Sequence, residues 1–431
     1  MEVIAGLILF ISFVLLLLLG APIAVAIILS SLLTFLTVLP FDTAILTAAQ
    51  RMVTGIDNFT MLAIPLFVLS GIIMNIGGIA FRLVNFAKIL VGKLPGALAH
   101  TNAVGNMLFG SIAGSSVASA AAMGRIMGPM QEKQGYRKTY SAAVNIASAP
   151  TGLIIPPSSV LIVYSLVSGG TSVAALFMAG YLPGILWGLA VMVVAYFMAK
   201  KEQYPVSALP GLKDIIYIIV SAIPSLLLIV IVIGGIVAGI FTATEGAAVA
   251  VLYSAILAVV YKGLKWKDIP GILKETIEIT GMILFLITSS ALFSLVMSYL
   301  GLPELIGNGL LSVTESSIGF ILVMILILLA CGTFMDITPA VLIFTPIFLP
   351  ISQTFGMDPV HFGMILCFAL CIGNMTPPVG SALFVGTSVA NVRIEDVIGT
   401  LIPYFIAVII VLLLVAFIPQ ISLLLPNLFN L

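Results

Sequence analysis

The chain has 431 residues, of which 61% are hydrophobic and 7% charged, and its mean hydropathy is +1.31. A soluble domain carries roughly 25% charged residues, so this composition excludes one. Sixteen Lys and Arg balance sixteen Asp and Glu, and basic residues kept to loops give no case for nucleic-acid binding.

Apolar runs long enough to cross ~30 Å of hydrocarbon recur from end to end, which predicts an all-α polytopic membrane protein. The first run, residues 1–20, has no basic start, carries Glu2 and continues into a second apolar segment, so it reads as a retained helix beginning outside. Helices up to about Leu39 are followed by one over 58–78 and by an amphipathic stretch, 79–94, suited to lie along the interface as an arm. From 103 to 130 the chain is apolar but broken centrally by Gly114, Ser115 and Ser116, which predicts a re-entrant hairpin with a polar tip. The next helix breaks within 145–159, ending at Pro156-Pro157. A polar segment over 200–214 reads as a cytoplasmic linker. The order then recurs: helices over 214–261, another over 275–301, an arm at 302–313, a hairpin over 331–352 broken at 336–339, and a helix broken within 373–381 at Pro377-Pro378.

The second half thus repeats the first. Pro156 and Pro377 stand 221 residues apart, Pro183 and Pro403 220, and Gly110 and Gly332 222. Loop charges are reversed between the copies. Arg82, Lys88 and Lys93 face a counterpart, 301–316, with only Glu304 and Glu315. Lys133, Arg137 and Lys138 face 352–362, which has no basic residue. Lys262, Lys265, Lys267 and Lys274 are opposed by 41–51, which has only Arg51. Lys and Arg collect in cytoplasmic loops, so the copies are expected to lie in opposite senses, the layout of a secondary transporter. The expected division is a first inverted repeat over 1–200, with scaffold and arm helices to 97 and hairpin and broken helix over 98–200. A linker, 201–213, precedes the second repeat, 214–431, divided likewise at 316/317.

Chemistry is expected where helices break at membrane depth, because each break frees backbone groups that hydrocarbon cannot satisfy. Freed carbonyls suit Na⁺ and half-helix N-termini suit carboxylates, so at least two Na⁺ sites flanking one anion site are expected. Asp336, at the second tip, either ligates Na⁺ or caps the half-helix placed from Pro339. Arg125 either pairs a substrate carboxylate or snorkels to the cytoplasmic face. Thr242 and Glu245 have capping-box spacing. Cys331, Cys367 and Cys371 sit in apolar segments as packing residues. No HExxH, GxGD or Walker A pattern supports an enzyme or an ATPase.

GSIAGSSVASAAAMG, NIASAPTGLIIPPSS, GTFMDITPAVLIFTPIFLPI and GNMTPPVGSALFVGTSVA together resemble the large membrane subunit of the tripartite ATP-independent periplasmic (TRAP) transporters, over essentially the whole chain. The resemblance implies a bacterial inner-membrane permease that takes up an organic acid with Na⁺ by an elevator motion. It implies two partners, a periplasmic substrate-binding protein and a small transmembrane subunit, within a lipid bilayer. By motif position it implies Na⁺ ligands at Ser115, Asn145, Pro150 and Gly152 in one repeat, and at Gly332, Asp336, Thr338, Gly373 and Met375 in the other. Substrate is implied between the tips, near Ser116, Thr338, Pro157 and Pro378, with Arg125 as a further candidate. The chain is similar to the sialic-acid branch, with no motif that separates it from the C4-dicarboxylate branch. A stand-alone Na⁺/carboxylate symporter of the same superfamily is the alternative.

Overall fold

The computed structural model describes residues 2–207, 211–313, 316–377 and 380–431, and every regular element among them is helical. In chain order these are α1 (Glu2–Leu18), α2 (Ile23–Val38), α3 (Phe41–Thr54), α4 (Ala63–Ile76), α5 (Ile79–Val91), α6 (Ala97–Ala113), α7 (Ser116–Lys133), α8 (Lys138–Ser148), α9 (Thr151–Ile154), α10 (Ser159–Val167) and α11 (Val173–Lys201). The second half has α12 (Leu212–Val237), α13 (Ala243–Val260), α14 (Ile269–Tyr299), α15 (Leu302–Val313), α16 (Ser317–Gly332), α17 (Ile337–Thr354), α18 (Pro359–Gly373), α19 (Ser381–Ala390), α20 (Ile394–Phe417) and α21 (Pro419–Leu428). Among the described residues, seven helices are long and apolar enough to cross a membrane. The α8–α9 and α10 pair, bent by 46° at its break, makes an eighth.

Each hairpin is two antiparallel helices, α6 with α7 and α16 with α17, and each is followed by a broken helix, α8–α10 and α18–α19. Gly114 ends α6 in the left-handed region, φ +59°, which costs a glycine little. Ser115 then caps α7, its Oγ accepting from the Ala118 N–H at 3.3 Å. The second tip differs from its sequence-based placement. α17 begins at Ile337, not Pro339, and Asp336 is its N-cap residue. Pro339 is accommodated because the first helical turn has no internal acceptor for its missing N–H.

The arm α5 buries Ile79, Leu83, Val84 and Ala87 against α6 and α12, and the Arg82 guanidinium lies 3.5 Å above the Tyr261 ring. The capping box at α13 is formed, with Thr242 N–H donating to Glu245 Oε2 at 2.8 Å and Glu245 N–H to Thr242 Oγ1 at 3.2 Å. Burial divides the molecule by role. Ile216, Tyr217, Val220 and Val230 of α12 are exposed, as lipid-facing residues should be. Every residue from Tyr140 to Ser158, and from His361 to Met375, is buried. The broken helices are thus the core of the bundle, packed among the two hairpins, α11, α20 and α21.

Candidate functional site

Each hairpin crosses its broken helix at a pair of glycines. A Cβ on Gly110 of α6 would stand 2.7 Å from the Gly152 Cα, and one on Gly332 of α16 would stand 3.2 Å from the Gly373 Cα. Both pairs recur at the repeat spacing. In each copy the first proline of the double proline follows the crossing glycine by four residues, Pro156 after Gly152 and Pro377 after Gly373. An α-helical carbonyl bonds to the N–H four residues on, and proline has none. The Gly152 carbonyl therefore has no helical donor, and the Gly373 carbonyl takes only a shorter-range bond from the Thr376 N–H, 3.0 Å. Backbone oxygens are thus freed at two related points in a tightly packed interior.

The two tips meet in one cavity of about 210 Å³. Ser115 and Ser116 line it from the first hairpin, Asp336 and Thr338 from the second, and Pro157 and Asn374 from the two breaks. A hydrogen-bond chain joins the repeats across it. Asn374 Nδ2 donates to Ser116 Oγ at 2.6 Å. Ser381 Oγ contacts Asn374 Oδ1 closely and reaches Asp336 Oδ1 at 3.4 Å, while the Ala382 N–H donates to Asn374 Oδ1 at 3.2 Å. Asp336 makes no side-chain cap to α17; its carboxylate turns to Ser381 and the cavity. On the scaffold side the cavity extends past Val68, Ile72 and Asn75 of α4 and Met282, Ile279 and Glu275 of α14. Those are the helix ends beside the basic loops, so the cavity runs from the tips toward that end of the bundle.

The structure gathers most, but not all, of the expected residues. Ser115, Ser116, Pro157, Asp336 and Thr338 share the cavity. Gly152 and Gly332, Gly373 lie at the crossings, with Pro150 buried beside the first and Met375 beside the second. Pro378 lies outside the described residues. Asn145 is not at the tip. Its Nδ2 donates to the Ala120 carbonyl at 2.8 Å, more than a turn down α7, and its Oδ1 accepts from Asn106 at 3.0 Å. Arg125 is not there either: nine residues along α7 from Ser116 it rises ~13 Å, and it lines a separate cavity with Glu132, Tyr136 and Lys138.

Two features escaped the sequence reading. Asn374 and Ser381 link the tips. Asn106, fully buried, is the centre of a second network: it accepts from Ser119 Oγ at 2.6 Å and donates toward Ser148 Oγ at 2.7 Å and Asn102 Oδ1 at 3.1 Å. This ties both arms of the first hairpin to its broken helix.

Residues 10–421 match the family model described as the tripartite ATP-independent periplasmic transporter, DctM component. YgiK of Salmonella typhimurium is 54% identical over 98% of this chain and 97% of its own length. The sialic acid TRAP transporter large permease protein SiaM of Vibrio cholerae is 38% identical over 95% and 96%. The C4-dicarboxylate TRAP transporter large permease protein DctM of Pseudomonas aeruginosa is 38% identical over 91% and 92%. Among solved structures, the YdaH transporter of Alcanivorax borkumensis superposes with a TM-score of 0.61 over 86% of each chain at 12% identity, a likeness of fold.

Proposed function

Because the chain belongs to the family of TRAP transporter large permeases, multi-pass membrane proteins for organic acids, we propose that it takes up such an acid by Na⁺ symport, moving its hairpins and broken helices as a block against the scaffold. The observation that carries this reading is the Ser116–Asn374–Ser381–Asp336 chain, which joins the two inverted tips in one cavity. The Gly152 carbonyl with Ser115 in the first repeat, and the Gly373 carbonyl with Asp336 and Thr338 in the second, offer two all-oxygen donor sets of the kind that suits Na⁺. Bound there, Na⁺ supplies positive charge beside the substrate position. The N-termini of α7 and α17 both begin at this cavity, and their dipoles favour a carboxylate between them. Ser116 and Asn374 hold the tips in register, so that cation and carboxylate binding reinforce one another.

Since the cavity extends toward the inner ends of α4 and α14, the conformation is read as the inward-facing stage. The partners are a soluble substrate-binding protein that delivers the acid from the periplasm and a small transmembrane subunit. The substrate is a sialic acid or a C4-dicarboxylate, the solutes named for relatives at 38% identity. Proteoliposomes carrying this chain with the small subunit test the reading, using labelled N-acetylneuraminate and succinate. Uptake should require both an inward Na⁺ gradient and the binding protein. Uptake indifferent to Na⁺ would overturn the coupling, and Na⁺-driven uptake without the binding protein would make the chain a stand-alone symporter.

A further inference from the structure

The order of crossings assigns every basic residue to a side. Fifteen of the sixteen lie in the inner loops or the inner arms of helices: Arg82, Lys88 and Lys93 around α5, Arg125 to Lys138 around the end of α7, Lys200, Lys201 and Lys213, Lys262 to Lys274, and Arg393. The sixteenth, Arg51 on α3, is alone on the outer side, where the insertion rule disfavours it. It belongs to none of the described ion pairs, and its hydrogen bond, from Nε to the Ala291 carbonyl, is long at 3.4 Å. Arg51 lines a cavity of about 350 Å³ between scaffold and block, with Asn58 and Ser290 on one wall and Leu342 and Pro346 of α17 on the other. Ser290 is 2% exposed, and its hydroxyl has no hydrogen-bond partner among the described residues. A buried unpaired hydroxyl is costly, and one in the wall of a cavity lined by a guanidinium outside the described ion pairs points to a ligand with acceptor oxygens.

We propose that this outer cavity is a receiving site, where Arg51 and Ser290 take the carboxylate of the incoming solute before it passes to the tips. The inference rests on the uptake reading above. A concave cavity closed on one side by the block suits a small acid.

The test is uptake by the full complex of wild-type, Arg51→Gln, Arg51→Lys and Ser290→Ala permeases, in vesicles of phosphatidylethanolamine with and without phosphatidylglycerol. Affinity for the loaded binding protein is measured alongside. Arg51→Gln removes an outer positive charge and so favours correct insertion; its membrane level serves as the folding control. We expect the solute concentration for half-maximal uptake to rise on the order of tenfold in Arg51→Gln, the scale of one charge-assisted hydrogen bond, in both lipids, with binding-protein affinity unchanged. Arg51→Lys and Ser290→Ala should show smaller losses. Wild-type behaviour in Arg51→Gln would overturn the site while leaving the uptake reading intact. A loss confined to phosphatidylglycerol would assign Arg51 to lipid, and a matching fall in binding-protein affinity would assign it to protein docking, each overturning the proposal. If the wild type carries neither N-acetylneuraminate nor succinate, the premise and this site fall together.

Discussion

Asn374 has no equivalent in the first repeat, where Leu153 occupies its place at the repeat spacing. The polar link between the tips is therefore one-sided: a single amide bonds Ser116 of the first hairpin and, through Ser381, Asp336 of the second. Asn374→Leu keeps the branched outline of the side chain while removing donor and acceptor. Uptake in proteoliposomes should fall at least about tenfold, with the Na⁺ concentration for half-maximal uptake raised, because one buried amide and two hydroxyls lose partners at ~1–3 kcal/mol each. Unchanged Na⁺ dependence would show that the chain does not connect the ion and substrate positions. Gly152→Ala tests the crossing. Its Cβ would overlap the Gly110 backbone, and backbone cannot be moved aside as a flexible side chain can. A loss of ~1–3 kcal/mol is expected, read as a lower melting temperature of the purified complex; Gly373→Ala should behave alike because Gly332 is its partner.

Among the elements, the first hairpin and its broken helix are held by the Asn106 network, so Asn106→Ala should destabilise the complex by about 1–2 kcal/mol in thermal unfolding. The hairpins and breaks were legible in the sequence because Gly, Ser, Asp and Pro inside an apolar run have few structural readings, and two copies at one spacing have fewer still. The occupants of the site were less legible. Asn145 and Arg125 lie on the right helices, but which neighbour a side chain meets depends on rotation about the axis and distance along it, and both depart from the tip on those grounds. Asn106, Asn374 and Ser381 look like ordinary polar residues of a membrane helix until packing brings Ser119 to the first and Ser116 to the second. The shift of the second tip from Pro339 to Asp336 has a simpler source: proline ends a helix interior but begins one without penalty, so its position alone does not locate the start.

At the level of the whole molecule, the central cavity runs toward the ends of α4 and α14 beside the basic loops, the ends that the proposed uptake cycle places inside. Met282→Cys, in a chain with Cys331 replaced by Ala, should react with a membrane-impermeant thiol reagent from the cytoplasmic face in Na⁺-free vesicles, and hardly from the outer face. Equal labelling from both faces would contradict the inward-facing reading. Cys367 and Cys371 are fully buried and should give little background.

Asp336 gives the moving block an electrical consequence. It is the one carboxylate on either hairpin tip, so on the proposed cycle an unloaded block travels with about one negative charge at its centre. Two Na⁺ and a monocarboxylate bring that centre to neutrality. A membrane potential of 100 mV, negative inside, acts on one full elementary charge with ~2.3 kcal/mol, and it pushes the empty block outward while leaving the loaded one nearly indifferent. The voltage would thus drive the return stroke. Imposing a potassium-diffusion potential on proteoliposomes should accelerate turnover at saturating solute, and Asp336→Asn should abolish that acceleration even where slow uptake survives.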